Sequence, residues 1–123
     1  MKFIFDNNLP IYVQLVEQIK IYIISGYFDN GERLPSVREL GNSIKVNPNT
    51  IQKALVELEE MKLIYTESTN GRFVTKDVKL IEKIKEEYAN NITKKYYEDM
   101  SKIGYSKKDI LNYIKKGNEN GTS

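Results

Sequence analysis

The sequence predicts a mainly α-helical fold with a small β-hairpin, arranged as a winged helix-turn-helix head followed by a helical extension. Two helix-start signals lie a short turn apart, at Ser36 and Asn47. An Asn-Gly turn between two β-rich segments follows them, and the last third of the chain carries one long apolar stripe. A helix pair, a hairpin and a long helix in that order favour this fold class.

The first helix is expected to begin at Pro10. Proline lacks a backbone N–H, and at the first helical position this group would have no hydrogen-bond partner within the helix. Apolar residues then recur at helical spacing until Gly26, which is expected to end the helix. We interpret this stripe as core; it consists of Tyr12, Leu15, Ile19, Tyr22 and Ile23.

The second and third helices are predicted to form a helix-turn-helix. Ser36 and Glu39 have the spacing of a capping box, in which each side chain bonds a backbone N–H that the new helix leaves free. Asn47-Pro48 opens the next helix with a cap and a first-turn proline. Gly41 is expected where the two helices approach closely. The predicted helix ends are Ile44 and Met61.

A two-stranded hairpin, the wing, is predicted directly after the third helix. The segments 63–67 and 72–75 are rich in β-branched and aromatic residues, and Asn70-Gly71 between them is a turn signal. A lone hairpin is marginally stable in water, so this one is expected to pack against the preceding helices.

The last third of the chain is predicted to form a long helix capped by Asp77 and a short helix that Ser106 and Asp109 open with a second capping box. We therefore divide the chain into a head (1–76), a two-helix extension (77–117) and a flexible tail (118–123). One apolar stripe follows the extension at steps of three and four residues, and we predict that it forms a dimer interface. Its members are Ile81, Ile84, Tyr88, Ile92, Tyr96, Met100, Ile110 and Ile114.

Composition excludes several function classes. The chain has no Cys and no His, so thiolate or imidazole metal sites and triads that need His are excluded, and no metal or cofactor is expected. We therefore expect that the protein is not an enzyme. No apolar run approaches the roughly 18 residues of a membrane span, and the first residues lack a signal-peptide core, which predicts a cytoplasmic protein without membrane contact.

Charge alone gives little indication that the protein binds nucleic acid. The net charge is +2, and residues 1–76 contain nine basic and nine acidic residues. Between Arg33 and Lys53, however, four basic residues face one acidic residue, a local excess that is enough for one positive face or for an ordinary solvated surface.

The helix-turn-helix and wing supply the parts that read duplex DNA, since the second helix of the pair can enter the major groove. The predicted DNA-binding residues lie before or early in the two helices and at the wing. Simpler interpretations stay open: Asn47 as a cap alone, Arg38 paired with Glu39 or Glu57, and Gly71 present only for a positive φ. The full set is Arg33, Ser36, Arg38, Asn47, Asn49, Thr50, Lys53, Asn70, Gly71 and Arg72.

Three separated motifs resemble the GntR family of transcription regulators. They are Pro-Ile-Tyr-Val-Gln-Leu at 10–15, Gly-Glu-Arg-Leu-Pro-Ser-Val-Arg-Glu-Leu at 31–40 and Val-Asn-Pro-Asn-Thr-Ile-Gln-Lys-Ala-Leu at 46–55. The resemblance covers residues 10–75. It implies DNA contacts for Arg38, for the start of the third helix (Asn47, Asn49 and Thr50) and for Gly71. The wing lacks the Gly-x-Gly tip of many relatives, and Pro48 stands where some carry an arginine, so the recognised DNA sequence does not transfer.

The short extension resembles that of the YtrA-like branch of this family, in which two helices make a homodimer. The physical argument agrees, because a long helix with one apolar stripe exposes a patch that a second copy can bury. The alternative is a helix folded back on its own head.

The main hypothesis is therefore a homodimeric regulator, expected to be a repressor, on a near-palindromic double-stranded DNA operator. The alternative is a winged-helix adaptor that binds another protein. An effector could bind between head and extension or at the dimer interface, but the sequence names none.

Overall fold

The computed structural model describes residues 1–119, so the last four residues of the predicted flexible tail lie outside the described part. Within it, the chain forms two compact units, Met1–Lys85 and the segment from Glu86 onward. The order of elements is α1 (Ile11–Ile24), α2 (Val37–Ile44), α3 (Pro48–Glu60), β1 (Ile64–Thr66), β2 (Arg72–Val74), α4 (Val78–Lys102) and α5 (Lys107–Glu119). The predicted mainly α fold with a small hairpin is confirmed.

The helix starts follow the capping signals in the sequence. The Ser36 hydroxyl accepts from the Glu39 N–H at 3.1 Å, and the Glu39 carboxylate accepts from the Ser36 N–H at 3.2 Å. Asn47 caps α3, Asp77 caps α4, and Ser106 with Asp109 form the second capping box. Pro10 is the N-cap of α1 and not its first helical residue, one position from the expectation.

The core of the first unit lies between α1, α2, α3 and the wing. The inward stripe of α1 packs against α3, whose buried positions recur at helical spacing. The hairpin seals one end, with Ile64 paired to Val74. The core residues of this unit include Leu15, Val16, Ile19, Ile23, Phe28, Leu34, Leu40, Ile51, Ala54, Leu55, Leu58, Leu63, Ile64 and Val74.

The segment before α1 is held by a ladder of α1 side chains that the sequence analysis did not foresee. Tyr22, Gln18 and Gln14 lie one turn apart on α1, and each bonds both backbone groups of one residue in the N-terminal segment. Gln18 accepts from the Ile4 N–H at 3.0 Å and donates to the Ile4 carbonyl at 2.6 Å. Gln14 and Tyr22 do the same for Asp6 and Lys2. The three side chains thus supply backbone hydrogen bonds to this segment in the way that a neighbouring β-strand would.

The second unit contains the rest of α4 and α5. α5 continues to Glu119, two residues beyond the predicted end of the extension, because Gly117 does not adopt the positive φ that would end the helix there. Apolar side chains of this unit stay exposed, with Ile92 at 66% and Ile103 at 70%. No helix among the described residues is long and apolar enough to cross a bilayer.

Gly41→Ala should raise the free energy of unfolding by about 1 kcal/mol, because alanine is favoured over glycine within a helix by that amount. A Cβ built on Gly41 lies 3.7 Å from Ile51 Cδ1, an ordinary contact. The expected close approach of α2 and α3 therefore exists but does not require glycine. Urea denaturation of the full chain measures the change.

The matched control is Gly71→Ala, at a glycine with φ of +103° where a Cβ would lie 3.2 Å from Arg33 Nε. This substitution should lower stability. Equal losses in the two variants would contradict the interpretation of Gly41.

Candidate nucleic-acid interface

The start of α2 presents an exposed, unpaired arginine. Arg38 lies in the first turn, beside the capping box of Ser36 and Glu39. Among the residues that the structure describes, Arg38 makes no ion pair, so the proposed pairing with Glu39 or Glu57 is not seen. The two hydrogen bonds with Ser36 lower the pKa of Glu39. The Glu39 carboxylate bonds the helix cap and lies 4.0 Å from Arg33 Nη1, and the exposed Arg38 guanidinium is available for a ligand.

The start of α3 combines a cap with an exposed polar face. Asn47 Oδ1 accepts from the Asn49 N–H at 2.8 Å, so the capping interpretation of Asn47 is confirmed. Asn49 and Lys53 lie on the outer face, opposite the buried Ile51 and Leu58. Thr50 lies on one flank of this face, in a groove next to the N-terminal segment. The polar side chains predicted at this helix start are therefore on its accessible sides.

Lys53 points toward α1 and not toward the wing. Its Nζ lies 4.0 Å from the centre of the Tyr12 ring, a cation–π contact. The negative charge of Glu57 raises the pKa of Tyr12. Lys53 is exposed, but its ammonium is placed by this contact on the α1 side of α3.

The wing is fixed at its tip by an arginine from the segment before α2. Arg33 Nε donates to the Asn70 carbonyl at 3.1 Å, and its guanidinium lies against Gly71. The backbone of Arg33 also bridges to Phe73 on β2. Arg33 therefore has a structural role in addition to any contact with DNA.

The wing is fixed to α3 by a second arginine, which lies on β2 directly after the tip. Arg72 Nε lies 2.6 Å from Glu59 Oε1, and both side chains are partly buried. The Thr66 hydroxyl donates to the same oxygen at 2.7 Å. Arg72 NH1 also donates to Gln52 Oε1 at 3.4 Å. Arg72, predicted as a DNA contact at the wing, is thus a partner of α3.

A groove of about 290 Å³ lies between the start of α2, α3 and the wing. We call it the wing groove. Four predicted residues line it, and Asn70 joins them through its bond to Arg33, whereas Thr50 lies on the other flank of α3. The four are Arg33, Ser36, Gly71 and Arg72.

Gln52 is a site residue that the sequence analysis missed. It lines the wing groove and stays exposed on α3. Helical spacing would have indicated it, because Gln52 lies three residues after Asn49 and so neighbours it on the helix surface. Thr66 and Ser68 of the wing line the same groove and were also missed.

Of the predicted dimer residues, two are not exposed. Ile81 is 7% exposed and Ile110 is 2% exposed, so neither offers apolar area to a second chain. The other members are partly or fully exposed, and Ile92, Tyr96 and Ile114 are the most open.

The comparison with protein families gives a match that spans the head. The model described as "Bacterial regulatory proteins, gntR family" matches residues 11–74, from the start of α1 to the end of β2. The chain belongs to the gntR family of bacterial regulatory proteins. The resemblance found in the three sequence motifs is thereby confirmed, and the fold is that of the family's transcriptional regulators with a DNA-binding winged helix.

Three relatives extend this family assignment. The HTH-type transcriptional repressor YtrA of Bacillus subtilis is 34% identical over 122 residues, covering 93% of this chain and 94% of that protein. A GntR family transcriptional regulator from Listeria monocytogenes is 41% identical with a TM-score of 0.84, covering 91% of this chain and 98% of that one. The AraR DNA-binding domain, solved in complex with operator ORX1, is 29% identical with a TM-score of 0.56, covering 61% and 96%.

Proposed function

We propose that this gntR-family protein is a homodimeric repressor that binds a near-palindromic operator through α3 and the wing. The proposal is regulatory and not enzymatic. The observations that carry it are the exposed Arg38 in the first turn of α2, which makes no ion pair among the described residues, and the exposed polar face at the start of α3. The N-terminus of a helix directs backbone N–H groups toward phosphates. Arginine forms bidentate hydrogen bonds with phosphates or with the edge of guanine.

Relatives support the operator binding and the repressor role in this proposal. AraR was solved on an operator, and YtrA is named a repressor. Because operator DNA lies in the cytoplasm of a bacterium, the same proposal locates the protein there. No small-molecule effector is assigned.

The homodimer is proposed from the exposed apolar side chains of α4 and α5. Exposed apolar side chains recur along α4 and α5, and isolated soluble helices rarely keep such a stripe in water. A second copy of the same stripe is the partner that twofold symmetry provides. The proposed contacts are Ile84, Tyr88, Ile92, Tyr96, Met100 and Ile114. Two heads would then meet half-sites about 10 base pairs apart, or a small multiple of that.

The test is a titration of the full-length protein with the promoter fragment upstream of its own gene, at several salt concentrations. We expect the wild type to prefer this fragment over random duplex and to lose affinity as salt rises. Arg38→Ala should weaken binding by about tenfold, the loss expected for one good arginine contact. The matched control is Lys76→Ala, which removes one exposed positive charge from the segment between β2 and α4.

Unchanged affinity in Arg38→Ala would remove the main support for the proposal. A wild type without preference for the promoter fragment at any salt would favour the protein-binding adaptor instead.

A further inference from the structure

Four side chains form a hydrogen-bonded chain from the wing to the exposed surface of α3. Thr66 on β1 and Arg72 on β2 face each other in the hairpin, and both bond Glu59 Oε1, at 2.7 and 2.6 Å. Arg72 NH1 then reaches Gln52 Oε1 at 3.4 Å. The wing therefore contacts a residue of α3 that lines the wing groove.

The N–H donors of the Arg72 guanidinium fix the direction in which the Gln52 amide points. A guanidinium has N–H donors and no acceptor, so only the oxygen of Gln52 can face Arg72. The NH₂ group is left on the open side. Gln52 thus presents donors to a ligand while its oxygen is turned toward Arg72.

Arg72 is itself held in place by Glu59. Burial acts to raise the pKa of Glu59, but the hydrogen bonds from Arg72 and Thr66 and the charge of Arg72 outweigh it, and the net pKa is lowered. Glu59 is therefore ionised at neutral pH, where it binds the arginine with a charge-assisted hydrogen bond.

We propose that Gln52 is a specificity-determining residue whose amide is oriented by Arg72 and Glu59, so that it reads a base carrying acceptors in the major groove. This inference rests on the proposed function as a DNA-binding regulator. A free glutamine pairs with adenine by giving one hydrogen bond and accepting another. With its oxygen turned toward Arg72, Gln52 presents its NH₂ donors to the ligand, and these suit the O6 and N7 acceptors of guanine better. Arg72 and Glu59 are positioning residues.

The experiment selects duplexes from a randomised library with the full-length protein and compares the base preferences of variants at each position. The wild type should prefer guanine at one position of each half-site, and Gln52→Ala should flatten that position alone, by about tenfold. Gln52 is exposed, so this variant should fold.

Two further variants test the orientation. Arg72→Met keeps an apolar stem and removes the donors, so the released amide should shift the preference at the same position from guanine toward adenine. Gln52→Glu replaces the donors by acceptors and should shift it toward cytosine, whose N4 is a donor. The second variant tests the reading role independently of Arg72→Met, whose folding circular dichroism checks.

The outcomes separate the two levels of inference. An unchanged profile in Gln52→Ala or Gln52→Glu would overturn the reading role. A uniform loss of affinity in Arg72→Met, with the profile unchanged, would overturn the orienting role and make Arg72 a phosphate contact. A wild type that selects no sequence at all would instead refute the proposed function.

Discussion

Ile92→Glu is expected to convert the proposed dimer into a monomer and to weaken binding to the complete operator by about 100-fold or more. Ile92 is 66% exposed in the middle of the α4 stripe, so the carboxylate is tolerated in the free chain. In a dimer it would be buried against apolar side chains without a partner, which is costly. Losing the second head removes the gain in effective concentration, which is about 10²–10⁴ for two linked sites.

Sedimentation equilibrium measures the mass, and titration of full and half operators measures the affinity. The matched control is Asn90→Glu, which adds the same charge to the exposed surface two residues away, nearly opposite Ile92 on the helix. This variant should stay dimeric, and both proteins should bind an isolated half-site equally. A dimeric Ile92→Glu protein would refute the proposed interface.

Leu55→Ala is expected to give the largest loss of stability, about 3–4 kcal/mol, by leaving a cavity in the core of the first unit. Leu55 is 1% exposed on α3, the helix that also carries Asn49 and Gln52. Domains are stable by only about 5–15 kcal/mol, so this loss should bring the unfolding midpoint close to working temperatures. DNA binding should fall on warming because the reading helix loses its support.

Urea denaturation of the full chain measures this loss, with Val56→Ala as control. Val56 is the next residue on the same helix but is 41% exposed, so its truncation leaves no cavity. We expect a change within about 0.5 kcal/mol for this surface substitution. Similar losses in both variants would show that the burial of Leu55 is not the cause of the loss.

The sequence could predict those features in which the interacting groups lie a few residues apart. The capping box of Ser36 and Glu39 closes within one turn, and Asn47 bonds an N–H two residues on. The helix starts, the turn and the hairpin therefore appear in the sequence pattern. Apolar spacing likewise identified the side of α1 that faces the core, where Leu15, Ile19 and Ile23 are buried.

The rest of the site depends on contacts between distant parts of the chain. Arg72 was predicted as a DNA contact, but its partner Glu59 is 13 residues away, and only the packing of the hairpin on α3 brings them together. Arg33 reaches Asn70 across 37 residues. Ile81 fits the apolar stripe, yet the stripe alone does not indicate which members are buried within one chain. A local sequence pattern does not reveal contacts between residues so far apart in the chain.

The ladder on α1 has a consequence for how freely the N-terminus can vary between related proteins. Tyr22, Gln18 and Gln14 bond the main chain of Lys2, Ile4 and Asp6, which any amino acid but proline provides. Substitutions at those three positions should therefore accumulate without loss of docking, apart from proline, whose nitrogen donates nothing. The two glutamines, by contrast, each supply both a donor and an acceptor, so hydrophobic replacements there would release the segment. Divergence should concentrate on the segment that is held, while the helix positions that hold it change little.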